Sequence, residues 1–331
     1  MNISPTVALF MVLFTTFLWG SWSQFVKQLD DWPLPAFIWW LYICGFVVTS
    51  VSILFLKPYY FPDGLDPFLT ALPGKCLLVL VCGATYSIGT QLSMSVVKKA
   101  GIIFHTSINA MLTIPVGCTV SSILGGIPEG VPVLQIGFGV ALLVCATMLC
   151  QKAARMRDAD NGIPVDQGSV DRRKYILLLV VCAVVFAPTY TIALSLGTKP
   201  ENGIQLPTPL LVWILSIGSL IGTSIFSAIR LTIHHQWKEA FHIKKNHRKI
   251  GLACLAGLFH YGGNMIHTIA SPVVSVAIAW PLGYLSSIWQ YFWGLFRGEF
   301  RGALKKTMAV LFLGIACFIF SLITLASALY W

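Results

Sequence analysis

Residues 5–26, PTVALFMVLFTTFLWGSWSQFV, run for 22 residues without one charged side chain. At 1.5 Å per residue a helix of that length covers about 33 Å, and the hydrocarbon core of a bilayer is about 30 Å thick. The stretch is long enough to cross a membrane once. No Lys or Arg precedes it, and it is longer than the apolar part of a secretory leader. It is expected to remain in the chain as a first membrane helix.

Nine more stretches of this kind follow, at 34–56, 76–97, 100–124, 130–150, 175–197, 208–229, 250–270, 272–296 and 307–330. The turns after the third and the eighth are very short. Composition agrees with this reading: apolar residues make up 56% of the 331 and charged residues 10%. Ordinary soluble domains carry about 25% charged residues. With so few charges the main solvent must be lipid. The net charge of +10 does not indicate nucleic acid, because the basic residues sit in short runs between apolar segments, as cytoplasmic loops do.

Those runs set the orientation. Nineteen of the 22 Lys and Arg lie in the odd-numbered loops, and only Lys57, Lys75 and Lys199 lie in the even ones. Positive charge stays on the cytoplasmic side. Both termini are therefore expected outside the cytoplasm, in a multi-pass protein of the plasma membrane, or of the inner membrane in a bacterium. The one long polar segment, 151–174, reads as a cytoplasmic linker between a first half, 1–150, and a second half, 175–331.

The halves resemble each other. FLWGSW at 17–22 and VFAPTY at 185–190 are offset by 168 residues, and each puts a helix breaker, Gly20 or Pro188, two residues before an aromatic. IPVG at 114–117 and WPLG at 280–283 are offset by 166. Five helices per half is an odd number, so the copies insert with opposite orientation. The expected fold is an all-α integral membrane protein of ten transmembrane helices in two inverted five-helix repeats, an arrangement of secondary transporters with a midplane site.

All 12 carboxylates lie outside the spans or at their ends, which removes paired-carboxylate chemistry from the membrane. HExxH and GxSxG are absent, and the nine Cys show neither a CxxC pair nor zinc spacing. No catalytic residue, metal or cofactor is expected.

The ionisable groups at membrane depth are histidines, and such groups are functional candidates by default. His260, Asn264 and His267 share one face of the eighth span, with Gly262 and Gly263 thinning it. His105, Asn109 and Thr113 share a face of the fourth, and Tyr86, Thr90 and Gln91 add polar groups in the third. Hydrogen bonding between helices is the alternative role for each set. Trp19, Trp22 and Gln24 in the first span, Tyr190 in the sixth, and Trp280 and Tyr284 in the ninth complete the candidate substrate site. His260, His105 and His267 are the candidates for proton coupling. His260 and Asn264 are expected to face a central cavity, opposite Trp19 and near Asn109.

Two passages carry a family likeness: FLWGSWSQFVKQLDDW at 17–32 and PLGYLSSIWQYFWGLFRGEFRGALKK at 281–306. The second holds Trp293 and Gly294, then Gly298, Glu299, Phe300, Arg301 and Gly302. With ten spans in two halves, the chain resembles the drug/metabolite transporter superfamily, nearest its sugar (rhamnose, glucose/ribose) and ureide permease branch. The resemblance implies solute uptake, often with protons, and names no binding residue. The function expected is a secondary transporter for a small neutral polar solute, a monosaccharide or related compound, working by alternating access and open to proton coupling. Ureide or nucleobase permeation and metabolite or drug export are the alternatives within transport; a membrane sensor or enzyme is the alternative outside it. The implied partners are the solute, protons and the lipid bilayer. Oligomeric state is not legible.

Overall fold

A computed structural model describes residues 3–330 apart from 30, 101, 128, 163–171 and 202; for 27, 97–100, 102–104, 106, 107, 172 and 330 it describes the backbone alone. The middle of the 151–174 linker and residue 331 lie outside the described residues. The described chain is helical, with one isolated bridge between Glu201 and Ile204.

The long segments are α1 (Pro5–Trp22), α2 (Leu34–Tyr60), α3 (Pro73–Ala100), α4 (Ile102–Gly125) and α5 (Val133–Asp160). Next, α6 consists of Arg172–Val181, a π-helical turn Cys182–Phe186, and Pro188–Gly197. Then come α7 (Thr208–Ile233), α8 (Ile243–Val274), α9 in two pieces (Val276–Gly283 and Ser286–Phe296) and α10 (Lys305–Ser327). Among the described residues eight helical segments are long and apolar enough to cross a membrane, namely α1–α7 and α10. The chain is an all-α, multi-pass membrane protein.

Prolines place the irregularities. Pro188 has no N–H to continue the ladder, and just before it Ala187 N–H bonds back five residues to Cys182 O at 2.8 Å, closing the π turn. Pro281 in α9 likewise releases the carbonyl of Ala277, and Cys118 Sγ of α4 lies 3.9 Å from that oxygen. Ser275 has φ +68°, so the chain turns sharply between α8 and α9, and its hydroxyl accepts from Ala277 N–H at 3.3 Å.

The first ten residues of the expected linker, 151–160, continue α5 as helix, and its last three begin α6. Asp160 Oδ2 accepts from Leu304 N–H at 2.9 Å and Thr307 Oγ1 at 2.5 Å, holding the start of α10. Arg157 lies over the Phe300 ring at 5.0 Å and pairs with Glu299 at 3.5 Å. Gly298 and Gly302 have φ of +75° and +82°, a region in which glycine alone is unstrained. The Gly-Glu-Phe-Arg-Gly passage is thus a turn clamped to the end of α5.

Packing divides the helices into two groups and a pair. Helices α1, α2, α8 and α9 pack on one another, as do α3, α4, α6 and α7, while α5 lies along α10. The groups meet where α2 packs on α7 and α4 on α9. In lipid such contacts depend on small residues and interhelical hydrogen bonds. Ser219 Oγ donates to Gly83 O at 2.9 Å between α7 and α3, Ser321 Oγ to Gly139 O at 2.7 Å between α10 and α5, and Thr49 and Ser216 share a hydrogen bond of 2.8 Å between α2 and α7.

Candidate functional site

A cavity of about 160 Å³ lies between the two helix groups. From one group it is lined by Trp22 of α1, His260 of α8, and Trp280 and Tyr284 of α9. From the other come Tyr86, Gly89, Thr90, Ser93 and Met94 of α3, His105, Asn109 and Thr113 of α4, and Cys182, Phe186 and Ala187 of α6. None of these is Asp, Glu, Lys or Arg. The volume is below the roughly 300–1,000 Å³ of sites for drug-sized ligands, so the occupant it suits is small.

His260 sits in a cage of four rings. Trp22, Tyr42 and Tyr261 meet it edge to face at 5.2, 6.0 and 5.4 Å, and Tyr86 lies parallel to it at 6.1 Å. The cage fixes the ring without hydrogen bonds. Both imidazole nitrogens are buried and have no hydrogen-bond partner among the described residues, and the same holds for Trp280 Nε1. Leaving such a group unpaired in apolar surroundings costs on the order of 1–3 kcal/mol. His260 and Trp280 both line the cavity, so a polar molecule that enters it lies against residues whose donors and acceptor are unsatisfied.

Trp280 can reach this position because it lies against Gly117 of α4, where a side-chain carbon would collide with the indole. Ser93 Oγ and His105 Nε2 are 2.5 Å apart and close another part of the wall between α3 and α4.

Of the residues expected from sequence, Trp22, Tyr86, His105, Asn109, His260, Trp280 and Tyr284 line this cavity. Others lie beside it. Trp19 belongs to the same helix group as His260 rather than facing it: its Nε1 donates to His260 O at 3.3 Å, and its ring packs on His267 at 4.9 Å. Tyr190 bonds His267 Nδ1 at 3.2 Å and Thr268 Oγ1 at 3.3 Å. The other ring nitrogen of His267 donates to Ala279 O at 3.2 Å. Gln91 turns to α7, where its amide donates to Ser227 Oγ at 2.7 Å, and it lines a separate cavity. Asn264 is fully buried with its amide unpartnered among the described residues, as is Gln24 Oε1.

The sequence did not single out Ser93, Met94, Cys182 or Phe186, which also line the cavity. For Ser93 a signal existed: it lies seven residues after Tyr86 on the same helix face. For Cys182 and Phe186 none did, because the π turn shifts the face that α6 presents. Among the described residues no group of three or more His, Cys, Asp or Glu is placed to hold a metal ion.

Neither a known protein family nor a curated protein matches the chain. A solved crystal structure of another protein superposes over 96% of this chain and 96% of its own, with a TM-score of 0.64 at 15% sequence identity. At that identity the likeness concerns the fold alone.

Proposed function

We propose that this protein is a secondary transporter that carries a small neutral polar solute, a monosaccharide or related compound, by alternating access. The observation that carries the reading is the cavity between the two helix groups, walled by aromatic rings, lined by His260 and Trp280 with their unpaired polar atoms, and without Asp, Glu, Lys or Arg among the described residues that line it. Aromatic faces take the apolar face of a sugar, and the unpaired atoms take its hydroxyls. A site at the junction of two groups can be exposed to one side at a time when the groups rock.

In this reading α8 and α9 also cross the membrane, giving ten crossings, with inverted repeats over 1–150 and 175–331 joined by a cytoplasmic linker. The packing supports the repeat. Exchange α1 with α6, α2 with α7, α3 with α8, α4 with α9 and α5 with α10. The contact of α1 with α8 becomes that of α6 with α3, and α2 with α8 becomes α7 with α3. The contacts α2 with α7, α4 with α9 and α5 with α10 map onto themselves. Thr49 and Ser216, which meet at the first of these, are 167 residues apart, beside the 168 and 166 of the sequence matches. The basic loops support termini outside the cytoplasm, in the plasma membrane.

Where protons accompany the solute, the imidazoles of His260, His105 and His267 are the groups to carry them, since every Asp and Glu lies outside the spans or at their ends. Ureide or nucleobase permeation is a second reading, favoured by one feature: five aromatic rings, those of Trp22, Tyr86, Phe186, Trp280 and Tyr284, line the cavity and suit a flat heterocycle. Uptake of labelled monosaccharides and nucleobases into proteoliposomes tests both readings. Uptake of one class, lost in His260→Phe, decides for it; no uptake of either, from protein shown to be folded, contradicts transport of such solutes.

A further inference from the structure

On one side of the cavity a hydroxyl of one helix group bonds two side chains of the other. Tyr190 of α6 stands in one group, and His267 and Thr268 of α8 in the other. The tyrosine hydroxyl bonds both, at 3.2 and 3.3 Å. All three side chains are buried. Tyr190 and His267 each lie seven residues before the end of their helix, at Gly197 and Val274, which is about 10 Å of helix. Beyond them, between the ends of α4, α6 and α8 and the starts of α7 and α9, lies a second cavity of about 440 Å³. It includes Ser195 of α6, whose buried hydroxyl has no partner among the described residues. The rings of Trp19 and Trp280 pack on Tyr190 at 6.2 and 5.9 Å.

We propose that Tyr190, bonded to His267 and Thr268, is the gate between these cavities, on the side of the membrane where both chain termini lie. The inference rests on the transport reading and deepens it: the two cavities are successive chambers of one path. The gate's weakness is part of its use. Two neutral hydrogen bonds across a group boundary are worth only a few kilocalories in total, little enough for the rocking of the groups to break them. His267 is a positioning residue here. Its Nε2 is held by Ala279 O of α9 and its Nδ1 also faces Ser271 Oγ at 3.2 Å. These contacts aim Nδ1 at the tyrosine.

Cys182 is a native reporter, since it lines the inner cavity. The experiment measures its modification by a membrane-impermeant maleimide, read by peptide mass spectrometry, in membranes of each orientation. The variants are Tyr190→Phe, which keeps the ring and removes both bonds, and Thr268→Val, which removes one. Loss of a net hydrogen bond of about 1 kcal/mol shifts an equilibrium about fivefold. Tyr190→Phe should therefore react about fivefold or more faster than the parent from the terminus side and more slowly from the other, with Thr268→Val in between. An equal rise from both sides is loosening of the fold and overturns the gate. Unchanged rates in both variants, with Cys182 reached from the opposite side, overturn the gate and leave the transport reading. Cys182 unreached from either side, in the parent and in both variants, overturns both.

Discussion

His260 and His267 lie on the same face of the same helix, seven residues apart, and both are buried. One is held by rings and has no partner for either nitrogen among the described residues; the other bonds Tyr190 and Ala279 through its two nitrogens. The difference lies in what faces them across the helix boundary. Opposite His267 stands the hydroxyl of Tyr190; around His260 are the faces and edges of Trp22, Tyr42, Tyr86 and Tyr261. The first arrangement closes a contact between helix groups. The second leaves a residue that lines a cavity with its polar atoms unpaired among the described residues.

The largest effect that would sharpen this contrast is functional. His260→Phe keeps a flat ring in the cage and removes both nitrogens. Uptake should fall tenfold or more, while the melting temperature stays level or rises, because no hydrogen bond is lost and an unpaired polar group is removed. Uptake at the parental rate would break the contrast. His267→Phe should show the reverse balance in stability. It leaves Ala279 O without its partner and Tyr190 with Thr268 alone, a loss of about 1–2 kcal/mol, read by denaturant or thermal unfolding in detergent.

The two glycines between the histidines give the next test. A Cβ on Gly263 would come within 2.6 Å of Trp19 Nε1, whereas a Cβ on Gly262 meets nothing within 4 Å. Gly263→Ala should cost about 1–3 kcal/mol by forcing the indole out of place. Gly262→Ala should be neutral or stabilising by up to about 1 kcal/mol, the helix preference of Ala over Gly. Equal costs would show that Trp19 does not pack on α8 as described. The smallest effect is expected at Ser271, whose hydroxyl bonds His267 O within its own helix at 2.7 Å. Ser271→Ala should change stability by less than about 1 kcal/mol.

The membrane fold was legible because a bilayer imposes a one-dimensional rule: about 20 apolar residues per crossing. Residues 5–26 obey it on inspection. The two pieces of α9 were read as one span, since nothing but Pro281 and Gly283 marks the turn at Tyr284 and Leu285. The site was legible where rare residues stood at helical spacing, as at His105 and Asn109 or Trp280 and Tyr284. Gln91 shows the limit of that method. It follows Tyr86 by five residues, about 140° around the helix, and so leaves the cavity face that Gly89, Thr90 and Ser93 keep. Residue type alone could not separate His260 from His267, because the partners that distinguish them, Tyr190 and Tyr86, lie 77 and 174 residues away in the chain.

The central claim is that the cavity at His260 binds a small neutral solute. The direct test is a thermal-shift screen of the purified protein and of His260→Phe against sugars, polyols, ureides and nucleobases. A ligand at about 100 times its Kd stabilises the folded state by about 2.7 kcal/mol. At least one neutral compound should raise the melting temperature of the parent and leave His260→Phe unmoved. A compound that stabilises both proteins equally, with none that separates them, would contradict the claim.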